Sequence, residues 1–183
     1  MQPPKPDLDL DNPLWRLALT LWQQPAFASA ALTLQARGWR VSHLLVACFM
    51  ARQGRRWDGQ EPATIRQWRE TMTEALRTRR QALPKEREDL ASLRQALAEA
   101  ELQAEKVELA WWHQSLSPGD GRDHQNLIPN LVTAAPSPQA ASEARSLLQT
   151  LCEVLSSCSG DNDEPLQWRQ HLAALSGTEN PQD

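Results

Sequence analysis

At 183 residues, with 40% apolar and 23% charged side chains, the chain has the length of one ordinary domain with a tail and is not broadly disordered. A net charge of −4 excludes a protein that coats nucleic acid over its whole surface. The longest apolar run free of charge, Val41 to Ala51, falls well short of the about 20 residues needed to cross a bilayer.

Alanine, leucine, glutamine, glutamate and arginine dominate, while β-branched residues are few, so an all-α protein is expected. Three cysteines and an acidic, Pro-rich start (MQPPKPDLDLDN) predict a reducing, cytoplasmic setting without a disulfide framework or signal peptide. The basic residues are mostly arginine and unevenly placed. Residues 37–80 hold ten arginines against four carboxylates, and residues 119–183 hold nine carboxylates against three arginines.

Residues 1–11 read as a disordered leader ahead of a helical domain at 12–116. Asn12-Pro13 is a helix start, with Asn as N-cap and Pro in the first turn. Leu14, Leu17, Ala18 and Leu21 then follow at helical spacing over 13–23. A second helix, 26–37, carries Phe27, Ala30, Ala31 and Leu34 on one stripe and ends at Gly38. A third, 42–53, is apolar on nearly every side and stops at Gly54, which marks a helix buried all round. These three form a compact cluster.

After a turn-rich connection, residues 62–82 place Ile65, Trp68, Met72, Ala75 and Ala82 at alternating heptad spacing, with Arg79 in the missing position. Residues 85–116 continue with Leu90, Leu93, Leu97, Ala100, Ala104, Val107 and Trp111. Two such arms joined by a short Pro-containing turn predict a long antiparallel αα-hairpin with a coiled-coil seam. Residues 117–137 read as a linker, although Leu127, Ile128, Leu131 and Val132 could tack onto a groove. A C-terminal helical segment follows at 138–177, with one helix opened by Ser137-Pro138 and a last one over about 165–175, then a tail at 178–183.

No metal, cofactor or catalytic set emerges. Cys152 and Cys158 cannot pair along one helix. No histidine has a ligand partner one turn away, and His43 lies more than one turn from Cys48. Glu101, Glu105 and Glu108 share a helix face that reads as solvated, and Asp161, Asp163 and Glu164 supply charge to a helix N-terminus. The arginines offer more. Arg66, Arg69, Arg77 and Arg80 fall within about 80° of one another on the first arm. In the heptad frame Arg66, Arg77 and Arg80 point outward, beyond reach of the other arm's carboxylates, and only Arg69 flanks the seam. Arg52, Arg55, Arg56 and Trp57 add a second basic group, with an aromatic ring suited to stacking on a base. Replacing Arg66, Arg77 and Arg80 together is expected to leave the fold intact, because exposed charges contribute little to stability.

Trp15, Ala18, Leu19, Trp22 and Pro25 resemble the opening pattern of a small proteobacterial family of uncharacterised proteins, known as a domain of unknown function. Leu32, Leu34, Gln35, Gly38, Val41, Leu44 and Leu45, then Gly54 and the segment AELQAEKVE from Ala100 to Glu108, continue the similarity. Ala36 and Ser42 stand where that family usually has Asp and Asn. The resemblance implies a helical, cytoplasmic bacterial protein and supplies no activity. Together these features predict a non-catalytic module that binds a protein partner. The alternative is an RNA- or ribosome-associated factor using the Arg52–Arg80 surface. Neither reading involves a membrane.

Overall fold

The computed structural model describes residues 7–116 and 126–158, and among these all regular structure is helical. The expected helix at 165–175, the tail and the first six residues lie outside the described residues. The chain divides into two compact units: residues 7–15 with 61–116, and residues 16–60 with 126–158. The boundary falls within the first helix, α1 (Pro13–Trp22).

In the first unit Asn12 caps α1 as its sequence predicts. Its Oδ1 accepts from the Trp15 backbone N–H at 3.0 Å, while its Nδ2 donates to the Asp9 carbonyl at 2.9 Å. Lys106 lies 5.3 Å from the Trp15 ring, a cation–π contact. The rest of the unit is two long arms. The first runs from α4 (Ala63–Trp68) through a π-helical turn (Arg69–Thr73) into α5 (Glu74–Ala82). The second is α6 (Ala91–Ser115), entered through a 3₁₀ turn at Glu88–Leu90. The arms pack on each other. They are antiparallel, because bonded pairs close from Thr73–Glu108 to Arg80–Glu101 toward the connection.

The second unit is built around α3 (Val41–Arg52), in which every residue from His43 to Ala51 is buried. A helix with no polar face needs cover on all sides. Helix α2 (Pro25–Ala36) supplies part of it, burying Phe27, Ala30, Ala31 and Leu34. Both helices end in Schellman turns. Gly38 (φ 87°) and Gly54 (φ 65°) take the left-handed position, and the next N–H of each, Trp39 and Arg55, returns to the Leu34 and Met50 carbonyls.

Two expectations change here. Residues 117–137 are not simply a linker: α7 (Leu127–Thr133) packs on α3, with Leu131 fully buried and Ile128 4% exposed. Pro129, Asn126 and Asn130 give this stretch a loop-like composition, yet Asn130 is the residue that fastens it. Its Oδ1 accepts from the Trp57 N–H at 2.8 Å, and its Nδ2 donates to the carbonyls of Arg55 at 2.8 Å and Ala47 at 3.4 Å. The division of a 12–116 domain from a 138–177 segment also fails. After α8 (Pro138–Glu143), capped by Ser137 Oγ on the Ala140 N–H, helix α9 (Arg145–Ser157) packs on α2 and α7. It buries Leu148, Leu151, Cys152, Val154 and Leu155 there. The apolar surface of α2 and α3 exceeds what the early helices can cover, so later segments cover it.

Asn130→Ala is expected to cost about 2–3 kcal/mol, because it strands the Trp57 N–H and the Arg55 carbonyl at once. Urea unfolding of the variant checks this, and Asn130→Asp, which keeps the acceptor and loses the donors, should fall in the same range.

Candidate functional site

The π turn decides the chemistry of the first unit. Its i→i+5 bonding accommodates one residue more than an α turn, so everything after Thr73 is rotated by about 100° from the frame set by Ile65 and Trp68. Burial follows that rotation. Thr73 (2% exposed) is buried where Met72 was expected, Arg80 lies inward where Arg79 was expected, and Leu83 replaces Ala82. Arg79 and Ala82 face solvent. The second arm differs in the same sense. Leu93 (51% exposed) and Ala100 turn outward, while Glu101 (6%) and Glu108 (2%) are buried.

The outward placement of Arg77 and Arg80, and the solvated reading of Glu101 and Glu108, are therefore corrected. Arg77 Nε donates to Glu101 Oε1 at 2.8 Å, and its Nη2 donates to Glu105 Oε1 at 2.5 Å. Arg80 grips the same Glu101 through Nε–Oε2 at 2.6 Å and Nη2–Oε1 at 3.3 Å. Arg69, 4% exposed, donates to both Glu61 oxygens and, through Nε, to Glu74 Oε1 at 3.2 Å. Thr73 Oγ1 donates to Glu108 Oε2 at 3.2 Å. Arg94 closes the connection end by donating to the carbonyls of Arg80 and Leu83. Toward the other end Trp68 Nε1 donates to the Ala104 carbonyl at 3.0 Å, and its ring meets Trp111 edge-on at 5.7 Å. Of the four stripe arginines only Arg66 is open, 55% exposed and 3.4 Å from Glu61 Oε2.

The electrostatics reflect this enclosure. Burial would raise the Glu101 carboxyl, but hydrogen bonds and charge from Arg80 and Arg77 outweigh it, so its pKa lies below the ordinary value. Glu105 moves the other way: burial raises it, and neighbouring Glu101 adds to this despite Arg77. Hydrogen bonding to Glu101 holds the Arg80 guanidinium above its usual range. Burial opposes the Arg69 charge, yet Glu61, Glu108 and Glu74 together raise its pKa. Arg77 and Arg80 are thus engaged across the two arms, and Arg69 within the first.

The second basic group lies in the other unit. Arg52 and Arg56 are exposed, with Arg56 Nη2 donating to Thr133 Oγ1 at 3.3 Å, and Arg55 is half-buried. Trp57, expected as a stacking platform, is 2% exposed and packs edge-on against His43 at 5.3 Å. Its backbone bond to Asn130 draws it into the core, which corrects its assignment to a ligand surface. Burial pushes the Cys48 thiol up to about 12 and raises Cys152 as well, so neither supplies a thiolate near neutrality. Among the described residues no group of three or more His, Cys, Asp or Glu side chains is placed to hold a metal ion, and no helix is long and apolar enough to cross a membrane.

The apolar periodicity of the sequence does not single out one further feature. Helix α2 has no charged residue in its 12 positions, and its solvent side bears Pro25, Ser29, Leu32 and Ala36, with Leu32 54% exposed. The signal was present in the sequence as a helix without charge on either face. The structure thus defines an all-α protein with a partly buried arginine–glutamate ladder in one unit and an uncharged helix face in the other. Residues 13–111 match the family described as Protein of unknown function (DUF2390), and the chain belongs to that family. No curated protein and no solved structure matches it.

Deleting Thr71, an exposed residue within the π turn, is expected to cost about 3 kcal/mol by turning the downstream arginines away from their buried carboxylates. Thr71→Ala, which keeps the residue count, should stay within about 0.5 kcal/mol of the parent. Chemical denaturation of both variants is the measurement, and equal stabilities would refute the register argument.

Glu101→Gln is expected to cost about 2 kcal/mol near pH 7, and Arg66→Gln nearly nothing. Glu101 is depressed in the folded state, so its contribution is present above pH 4.5 and fades as pH falls through the folded value. Glu105, raised when folded, contributes in the opposite sense, so Glu105→Gln should cost less than Glu101→Gln at pH 7. Stability curves taken from pH 3 to 8 should show the Glu101→Gln deficit closing only in acid.

Proposed function

We propose that this protein is a non-catalytic helical interaction module that binds a protein partner in the cytoplasm. The observation that carries this reading is the solvent face of α2, uncharged along its whole length and bearing an exposed leucine. Surface helices of a self-contained fold carry charge on that side, and an apolar face rimmed by polar residues suits helix-in-groove or helix-on-helix docking. Three of the four arginines that made the first arm resemble a phosphate-binding surface, Arg69, Arg77 and Arg80, are engaged by Glu61, Glu74, Glu101 and Glu105, and only Arg66 stays open.

A second reading, contact with RNA or the ribosome, now rests on Arg52 and Arg56, the exposed members of the second basic group. Loss of each phosphate contact would flatten the log–log salt dependence of binding by about one unit.

The full chain, tagged and incubated with native lysate with and without nuclease, separates the two. The expected result is a nuclease-resistant protein retained by the parent and by an Arg52→Gln, Arg56→Gln double variant, but lost with Leu32→Asp. Ribosomal material that disappears on nuclease treatment and with the double arginine variant would overturn the first reading in favour of the second.

A further inference from the structure

Helix α5 buries none of its nine residues. What it turns toward α6 is mainly Arg77 and Arg80, so little apolar surface holds this end of the hairpin together. A helix this short is not stable on its own backbone bonds and depends on cover for an apolar face. The ladder shows where that face lies. Thr73, Arg77 and Arg80 point inward from the first arm, and Arg94, Glu101, Ala104 and Glu108 from the second. Both arms are right-handed and they run antiparallel, so the residue preceding each inward one falls on the same face of the hairpin. These residues are Met72, Leu76 and Arg79 on the first arm, and Leu93, Ala100, Gln103 and Val107 on the second. The five apolar ones are half-buried or exposed, Leu93 at 51%. The opposite face carries Glu74, Thr78, Gln81, Gln95 and Glu105, with Leu102 as its exposed leucine.

The two edges of the apolar face are opposite in charge. Arg79 stands exposed on the outer edge of α5, and Glu99 stands exposed on the outer edge of α6. The Arg80–Glu101 bond places them within one helical turn of the same height along the hairpin. Such a face complements itself. A two-fold axis parallel to the arms lays α5 of one copy on α6 of the other, apolar face to apolar face, and brings each Arg79 beside the other copy's Glu99. A two-fold axis across the arms would instead join like edges, Arg79 to Arg79 and Glu99 to Glu99. The face is about 21 Å long from Leu93 to Val107 and about 20 Å wide, so its plan area is roughly 400 Å² per copy before the relief of side chains is counted. That is the small end of specific interfaces and suits a reversible pair.

We infer that the hairpin pairs with that of a second copy through this face, forming a four-helix bundle about a two-fold axis parallel to the arms. Leu76 of each copy packs between Ala100 and Val107 of the other, and the paired Arg79 and Glu99 edges fix the orientation. The surface belongs to the first unit and shares no residue with the α2 face, so pairing here and partner binding there stand or fall separately.

Sedimentation equilibrium of the full chain is the test, and an interface of this size predicts a monomer–dimer equilibrium with a Kd of about 1–100 µM. Leu93→Glu and Ala100→Glu, at positions exposed in the single chain, should each weaken the dimer at least about a hundredfold, because each loss is felt twice across a two-fold axis. Leu32→Asp, on α2, should leave it unchanged. Arg79→Glu and Glu99→Arg should each weaken it severalfold at low salt, and the two together should restore it. Helix content by circular dichroism should match the parent throughout, and should Leu93→Glu lower it, Ala100→Glu is read in its place. The inference is overturned if the parent is monomeric at about 100 µM. It is equally overturned if the dimer keeps its affinity in Leu93→Glu and Ala100→Glu, or if Leu32→Asp abolishes it. A double charge variant no tighter than the single ones overturns the parallel two-fold arrangement.

Discussion

Arg69, Arg77 and Arg80, laid against Glu61, Glu74, Glu101 and Glu105, are the interaction on which the first unit depends. Most paired helices are joined by an apolar seam. Here Arg77, Arg80, Glu101 and Glu108 also stand at facing positions, and burying charge is costly unless geometry and partners are right. That cost makes the pairing selective. Sliding α6 by one turn along its partner would leave Glu101 without its two guanidinium groups and Thr73 without Glu108, whereas leucines would accept the shift with little loss. The ladder therefore sets register more than it adds stability. The tryptophan pair Trp68–Trp111 and the buried Ile65, Ala104 and Leu109 supply the apolar part.

The π turn is what makes the ladder possible. Without the extra residue, Arg77 and Arg80 would be turned about 100° away from Glu101, and Leu76 and Arg79 would take their places. A π turn is less favourable than an α turn and persists where surrounding contacts require it. In this protein the requirement is visible: Arg69 at its start and Thr73 at its end are both buried against carboxylates.

The second unit solves a different problem. Helix α3 is apolar on all sides, so its neighbours must surround it, and the chain recruits α7 from more than 70 residues downstream to do so. Asn130 makes the recruitment specific. One fully buried amide joins α7 to the backbone of Ala47, Arg55 and Trp57, and every one of those bonds would be lost in any other seating. Trp57 is buried for the same reason, which is why an aromatic flanked by arginines is part of the core and not of a ligand surface.

Local chemistry is legible in the residues themselves. Asn12, Ser137, Gly38 and Gly54 end or begin helices where their side chains or their absence of one demand it, and the inward stripe of α2 and the burial of α3 follow from periodicity alone. The all-α class follows from composition. Which residues meet across elements is settled only by packing. A heptad frame counts 3.5 residues per turn and has no means of registering one π turn, so it put Arg77 and Arg80 in solvent; Glu101 and Glu108, on the unbroken α6, were put there because an apolar seam takes no account of the arginines and threonine opposite. Loop-like composition likewise concealed α7, because its fold depends on hydrogen bonds to a distant segment. Periodicity reports the face a helix would bury against an unspecified neighbour; the identity of that neighbour, and a one-residue change in phase on the way to it, are properties of the packed chain.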